Sequence, residues 1–286
     1  MRPKALIKRA MCGAGRFAAG SGPRTVVLCY HSVSDDAPYA SATPALFERH
    51  LAWLGEHCDV VGFADSMRPG HSGRTRVAIT FDDGYADNHA LLDLLERMRM
   101  RATFFLTTGL IDRDPAVIAH FARQRACPES AVHALTWSQA IELRRAGHAI
   151  GAHTRTHPNL ATLTSERAEE ELRRAKDDLE SQLGEPVPAL AWPYGKPGRH
   201  FTAANLASAA RLGHGLGAAV LFRGVRADDS HLAVPRFFIA HDPVEDLAAK
   251  VRGDWDWLGH WQSAAPRWLA KLVSPRDFDA AVLGAG

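Results

Sequence analysis

The alternation of short apolar segments with helical segments constrains the fold of this chain more than any other feature. The clearest helical pattern runs from Ser165 to Leu183, where apolar residues recur at spacings of three and four. Ser165 is the expected cap of this helix, and Gly184 is its expected stop. Short β-branched or aromatic runs separated by such helices are typical of parallel βα units. The runs are residues 25–30, 76–81, 101–108, 148–153, 188–195, 217–222 and 233–240. Seven or eight such units in one chain favour a barrel over an open sheet.

Length and charge set the domain organisation that we expect. The chain has 286 residues and a formal net charge of +2, which is too small to argue for a nucleic-acid partner. We expect a single catalytic domain at residues 24–251, a basic tail at 1–23 and a tryptophan-rich helical extension at 252–286. The aromatic side chains of the extension are expected to pack on the barrel. A surface for a sugar or a lipid is the alternative.

The N-terminal segment and the cysteines bear on the compartment. Residues 1–24 include six basic residues and no acidic one, and Lys8, Arg9 and Arg16 interrupt every candidate apolar core of a secretory signal. The four cysteines form no CxxC pair, which indicates free thiols in a reducing compartment. We therefore expect a cytoplasmic protein without a signal peptide. Its tail is either a flexible basic segment or a short amphipathic segment at an anionic membrane face.

Two adjacent carboxylates, Asp82 and Asp83, follow the apolar run 76–81. In parallel α/β folds, the side chains that perform chemistry collect at the C-terminal ends of strands. An acidic turn that caps a helix is the structural alternative. Two carboxylates at a strand exit, however, repel each other unless a cation or an arginine lies between them. One of them can then bind a metal ion, while its neighbour acts as a general base toward water.

Two histidines, His153 and His157, follow another apolar run and stand four residues apart. On a helical turn, this spacing would place both imidazoles on one side, where they can share a cation. A carboxylate from another strand end would complete a set of two nitrogens and one oxygen, with positions open to water and substrate. Two histidines on a solvated helix face would give the same sequence pattern. The pair therefore indicates a metal site only in combination with the aspartate doublet.

Three segments together resemble the motifs of the polysaccharide deacetylases with a NodB homology domain (carbohydrate esterase family 4). These segments are TFDDGYADN, HTRTHPNL and WPYG, and the resemblance covers roughly residues 24–240. It implies a distorted (β/α)7 barrel, to which this chain would add its C-terminal helical extension. It also implies a hydrolase that removes N-acetyl groups from an N-acetylated glycan or glycolipid.

The resemblance implies a role for each motif residue. Asp82 would be the base that activates water. Asp83, His153 and His157 would bind one divalent ion, with zinc as the first expectation and cobalt, nickel and iron as alternatives. Tyr194 would line the acetyl pocket, and its backbone N–H would help to stabilise the oxyanion.

Two departures from the family pattern concern the arginine that braces the catalytic aspartate and the residue that acts as the general acid. Relatives often carry an arginine where this chain has Ala191, and the branch without it includes poly-N-acetylglucosamine deacetylases. We expect Arg236 to replace that brace, with a surface arginine as the alternative. Relatives often carry the general acid in a Leu-x-His segment. His214 and His260 each end a Leu-x-His segment in this sequence. We expect His31, at the end of the first strand, to be the acid, with a buried structural histidine as the alternative.

Other functions are compatible with the same residues. A metal-dependent amidase acting on a non-sugar amide would need the same hydrolytic centre. A catalytically silent carbohydrate-binding relative is the weaker alternative, because the base, the ligands and the pocket tyrosine are all present.

Overall fold

The computed structural model describes residues 22–37, 39–70 and 73–264. The first 21 residues lie outside the described residues, and with them most of the basic tail, for which a flexible segment and a membrane-facing amphipathic segment were the alternatives. The same holds for the extension beyond residue 264.

Parallel strands form the centre of the described fold. Their order in the sheet is β7-β6-β5-β4-β3-β1-β8, and β2 pairs with β3 beside this path. All of these pairings are parallel, as the alternation of strands and helices predicts. The strands are β1 (Thr25–Tyr30), β2 (Asp59–Val61), β3 (Arg76–Phe81), β4 (Ala102–Leu106), β5 (Ala149–Ala152), β6 (Ala189–Ala191), β7 (Leu216–Ala218) and β8 (Phe237–Phe238).

The sheet curls into a barrel because the segment before β8 bridges its two ends. β8 pairs with β1. Three residues earlier, the Val234 N–H donates to the Gly217 carbonyl at 2.7 Å, and the Ala219 N–H donates to the Val234 carbonyl at 2.8 Å. Small and apolar side chains, among them Ala78 and Phe105, form a separate buried cluster with Val234. The predicted distorted (β/α)7 barrel is therefore confirmed.

Helices alternate with the strands and supply much of the main core. They are α1 (Pro44–His57), α2 (Leu92–Arg97), α3 (Thr108–Ile111), α4 (Pro115–Arg125), α5 (Trp137–Arg145), α6 (Ser165–Leu183), α7 (Ala203–Arg211), α8 (Val244–Arg252) and α9 (Asp256–Ala264). Helix α6 has the predicted bounds and ends at Gly184, which adopts a φ of 68°. The predicted cap is wrong: Thr164, one residue before Ser165, accepts the hydrogen bond from the Arg167 N–H.

The other expectations concern the extension, the cysteines and the membrane. Trp255, at the start of the extension, is 4% exposed and belongs to the main core. The described cysteines, Cys29, Cys58 and Cys127, are free thiols. Within the described ranges, none of the helices has the length and apolarity needed to cross a membrane.

Two buried histidines lie just before β5 and β7, at the end of the barrel opposite to the predicted site. Nδ1 of His148 accepts a hydrogen bond from the Ala102 N–H at 3.2 Å. Burial, helped by Arg101, lowers the pKa of His148 to about 4. Burial, helped by Lys176, likewise lowers the pKa of His214 to about 4. The unfolded chain, with histidine pKa values of about 6.5, therefore binds more protons than the folded chain between these values.

We expect the free energy of unfolding to fall as the pH drops from about 6.5 toward 4. At pH 5, the loss should be on the order of 1–2 kcal/mol for each of these histidines. Urea denaturation at pH 7 and pH 5 measures it. In His148→Asn, which keeps a hydrogen-bond acceptor near the Nδ1 position, the difference between the two pH values should shrink. An unchanged difference would contradict the role of His148.

Candidate functional site

The predicted site residues meet at the C-terminal ends of parallel strands. Asp82 and Asp83 follow β3, His153 follows β5, His31 follows β1, and Tyr194 lies three residues beyond β6. Because the strands are parallel, these ends share one edge of the barrel, where α/β barrels hold their catalytic residues. The fold therefore brings residues from all three sequence motifs into one site.

Asp83, His153 and His157 face one another in the interior of this site. Oδ1 of Asp83 lies 3.4 Å from Nε2 of His153 and 3.5 Å from Nε2 of His157. Two ligand atoms of a tetrahedral ion with bonds of about 2.0–2.1 Å lie about 3.3 Å apart. All three side chains are buried, and Oδ1 has no hydrogen-bond partner among the residues that the structure describes. This donor set fits one divalent cation.

The two imidazoles are prepared for this use in different ways. Nδ1 of His153 lies 2.8 Å from the carbonyl oxygen of Ala191, so the proton belongs on Nδ1 and Nε2 keeps its lone pair. Burial lowers the pKa of His157 well below its ordinary value, so this ring is neutral, as a metal ligand must be. Ala191, where the family resemblance implied a departure from an arginine, orients a histidine through its carbonyl group.

The segment that carries both histidines is a loop, so the predicted helical turn is wrong. Thr154 and His157 adopt φ values of 62° and 56°, and the His157 N–H donates to Oγ1 of Thr154 at 3.0 Å. The two imidazole rings nevertheless meet, with centroids 5.0 Å apart. Such backbone strain persists only where the surroundings hold it. Helix α6 supplies one support, because Glu171 accepts a hydrogen bond from the Thr156 N–H at 2.8 Å.

Asp82 is held by Arg236. Nη1 and Nη2 of Arg236 each donate to one carboxylate oxygen of Asp82 at 2.7 Å. The arginine is 0% exposed and also donates to Oγ1 of Thr80 at 3.0 Å. Burial alone would raise the pKa of Asp82, but Arg236, His153 and His31 together outweigh burial and lower the pKa to about 2. Arg236 is therefore not the surface arginine of the alternative interpretation, and Asp82 is ionised at neutral pH.

The sequence analysis missed Arg125, at the end of α4. Its guanidinium contacts Oδ2 of Asp83 and donates to the Tyr85 hydroxyl at 2.9 Å. Burial would raise the pKa of Asp83, but Arg125 and the nearby histidines together outweigh burial and hold the pKa well below the ordinary value. Each carboxylate of the doublet thus pairs with a different arginine, which offsets the repulsion between them. No local pattern distinguishes Arg125 from Arg123, the other arginine of its helix.

His31 lies beside Asp82. A ring nitrogen of His31 lies within 4.8 Å of a carboxylate oxygen of Asp82, and its ring packs against Phe238 at 5.1 Å between centroids. Burial lowers the pKa of His31, although both nearby aspartates oppose this shift. Of the other candidate acids, His214 lies at the opposite end of the barrel, and the side chain of His260 lies outside the described residues. The acid role of His31 stays a prediction.

Tyr194 forms part of the rim of the site. It is 38% exposed, and its ring lies 4.9 Å from the ring of His157. Its hydroxyl contacts the side-chain amide of Gln124 on α4. Tyr194 also adopts a φ of 60°, a conformation that non-glycine residues rarely take. The rim is therefore built from the loop after β6 and the end of α4.

The comparisons with known proteins agree with this geometry. The family model "Polysaccharide deacetylase" matches residues 70–215. The structure of the Streptococcus pyogenes deacetylase PplD in complex with acetate is similar, with a TM-score of 0.67 and 23% identity. That match covers 80% of this chain and 99% of PplD.

Two curated proteins of Bacillus subtilis (strain 168) are related in sequence. YxkH is 24% identical over 202 residues, which are 67% of this chain and 62% of YxkH. The peptidoglycan-N-acetylmuramic acid deacetylase PdaA is 25% identical over 117 residues, which are 40% of this chain and 36% of PdaA. The alignments thus span less than two thirds of either relative. Since the family model matches just over half of the chain, this protein belongs to the polysaccharide deacetylase family.

Proposed function

We propose that this protein is a metal-dependent N-deacetylase that acts on an N-acetylated glycan. The observation that carries the proposal is the division of the aspartate doublet. Asp83 presents an unpartnered oxygen to His153 and His157, whereas Asp82 is held ionised by Arg236. Hydrolysis of an amide by activated water needs both a cation site and a separate base, and the doublet supplies one residue for each.

The cation and the base have complementary tasks. A divalent cation held by Asp83, His153 and His157 would polarise the acetamide carbonyl and lower the pKa of a water at the site. Oδ2 of Asp82 lies 3.9 Å from Nε2 of His153, so this carboxylate borders the same space. With a pKa of about 2, Asp82 is a weak base, and it accepts a proton only from water that is already acidified. The two hydrogen bonds from Arg236 keep its orientation fixed while it does so.

The remaining groups act on the intermediate and on the leaving group. The water oxygen attacks the carbonyl carbon as its proton passes to Asp82. The backbone N–H of Tyr194 stabilises the oxyanion that develops on the carbonyl oxygen. His31 then donates a proton to the sugar nitrogen as the C–N bond breaks, because an unprotonated amine leaves poorly. The products are acetate and a free amino sugar.

Relatives support a sugar as the substrate. PdaA is named for deacetylation of N-acetylmuramic acid in peptidoglycan, and the PplD structure contains acetate, the acid that N-deacetylation releases. The xWPYG motif, with Ala191 in place of an arginine, favours chains of N-acetylglucosamine as the first substrate to test. A glycolipid substrate, a cytoplasmic location and contact of the basic N-terminus with a membrane remain predictions.

We expect substitution of Asp83, but not of Asp82, to weaken metal binding. Wild-type protein dialysed against one equivalent of zinc should hold one ion per chain, and Asp83→Asn should weaken that binding about tenfold or more. Asp82→Asn, the matched control one position earlier, should retain the ion. Equilibrium dialysis with elemental analysis measures this, and circular dichroism establishes that both variants fold. Equal loss in both variants would show that the two carboxylates do not divide the roles.

We expect the purified protein to release acetate from short N-acetylglucosamine oligomers. Release should stop with a chelator and return with added metal. Asp82→Asn and His153→Ala should each slow it, with a loss on the order of 10²–10⁴-fold for the general base. Metal-bound wild type that releases no acetate from these oligomers, but hydrolyses a non-sugar amide, would overturn the glycan assignment and leave the hydrolytic centre standing.

The acid role of His31 has its own test. His31→Asn should lower the turnover of N-acetylglucosamine oligomers on the order of 10²-fold or more, because the amine would leave without a proton. His214→Asn, which replaces a buried histidine at the opposite end of the barrel, is the matched control and should keep the wild-type turnover number. Similar turnover in His31→Asn and wild type would remove His31 from the mechanism.

A further inference from the structure

A second group of side chains with metal-binding chemistry lies directly beside the proposed base. Tyr30 pairs with Phe81 at the end of the β1–β3 register. His31 and Asp82 are therefore the first residues after these two neighbouring strands. Sγ of Cys29, a ring nitrogen of His31 and a carboxylate oxygen of Asp82 lie within 4.8 Å of one another. Cys29 is not part of the deacetylase mechanism described above.

The distances in this group suit a cation. Sγ of Cys29 lies 3.4 Å from Oδ2 of Asp82. Sulfur and oxygen ligands of one tetrahedral ion, with bonds of about 2.3 and 2.0 Å, lie about 3.5 Å apart. Among the described residues, Nδ1 of His31 is buried without a hydrogen-bond partner, and Cys29 is 0% exposed. A set of one sulfur, one nitrogen and one oxygen selects borderline and soft ions over magnesium or calcium.

We propose that Cys29, His31 and Asp82 form a second cation site, which cadmium or excess zinc occupies and which blocks the enzyme when filled. Binding breaks the S–H bond of Cys29, releases its proton to the solvent and forms a sulfur–metal bond. The same ion takes the lone pairs of Asp82 and His31. The block of catalysis rests on the proposed function, because the bound ion occupies both the proposed base and the proposed acid. The binding of the ion does not depend on that function.

The surroundings make this site weaker for zinc than the Asp83 site. Arg236 already contributes a positive charge to both oxygens of Asp82, and a second cation must share that carboxylate. The thiol must also lose its proton, because only the thiolate is a metal ligand. Arg125 pairs with only one oxygen of Asp83, and the other oxygen is buried without a hydrogen-bond partner among the described residues. Zinc therefore fills the Asp83 site first and reaches Cys29 only in excess.

Cadmium absorption tests the site directly. Metal-free, full-length protein in a non-thiol reductant is titrated with cadmium, and the ultraviolet thiolate-to-cadmium charge-transfer band is recorded. Wild type should develop this band, and Cys29→Ser should lose it. Cys12→Ser, Cys58→Ser and Cys127→Ser are the matched controls and should keep it. Asp83→Asn should keep it too, because the thiolate site does not use that carboxylate.

The outcomes separate a cation site from a thiol that only donates a hydrogen bond to Asp82. No band in wild type, or a band that survives in Cys29→Ser, overturns the proposal. Should Cys29→Ser fail to fold, His31→Asn serves instead: the cadmium concentration that gives half of the band should rise about tenfold or more. An unchanged concentration in this variant would remove His31 from the site.

Inhibition is measured separately by acetate release from zinc-loaded enzyme at increasing cadmium. The half-inhibitory concentration should rise about tenfold or more in Cys29→Ser, each variant being compared with its own rate without cadmium. Equal inhibition of both proteins would overturn the inhibitory role. If neither protein releases acetate, the absorption experiment still decides whether the site binds, so failure of the deacetylase proposal and failure of the second site are distinguishable.

Discussion

The site depends on the buried ion pair between Arg236 and Asp82. Transfer of two charges out of water costs several kcal/mol for each ion, and only close pairing with hydrogen bonds offsets that cost. Here each carboxylate oxygen accepts one hydrogen bond at 2.7 Å from a guanidinium that is 0% exposed. Arg236 lies just before β8, in the segment that closes the barrel. The segment that closes the barrel therefore also orients the proposed base.

The rest of the site is held in strained backbone that the barrel supports. Asp83, Thr154, His157 and Tyr194 adopt φ values between 56° and 76°, in the region that favours glycine. Each belongs to one of the three motifs, and each follows a strand end. Such a conformation turns the chain sharply as it leaves the strand, so adjacent residues can face different partners. Asp82 reaches Arg236 in this way, while Asp83 reaches the two histidines and Arg125.

What the sequence could predict follows from the range of the interactions. The bounds of α6 and the bounds of β1 and β3 depend on local periodicity, and the predictions matched them. Residue chemistry at strand exits was enough to single out the aspartate doublet together with His153 and His157, and the family resemblance then assigned the metal to Asp83. Arg125 was missed because its contact with Asp83 joins residues 42 positions apart and leaves no mark in the local sequence. The helical turn was wrong because the spacing of two histidines does not fix the backbone between them.

Register explains why the thiol lies where it does. In the parallel pair of β1 and β3, Cys29 stands opposite Thr80, and side chains two residues apart on a strand share a face. Cys29 and His31 therefore point the same way, toward the carboxylate that follows β3. A one-residue shift of either strand would separate His31 from Asp82 as well as Cys29 from Asp82. The register that pairs the proposed acid with the base thus also brings the thiol to the base. A substitution of Cys29 would therefore remove the thiol without changing the strand register that brings His31 close to Asp82.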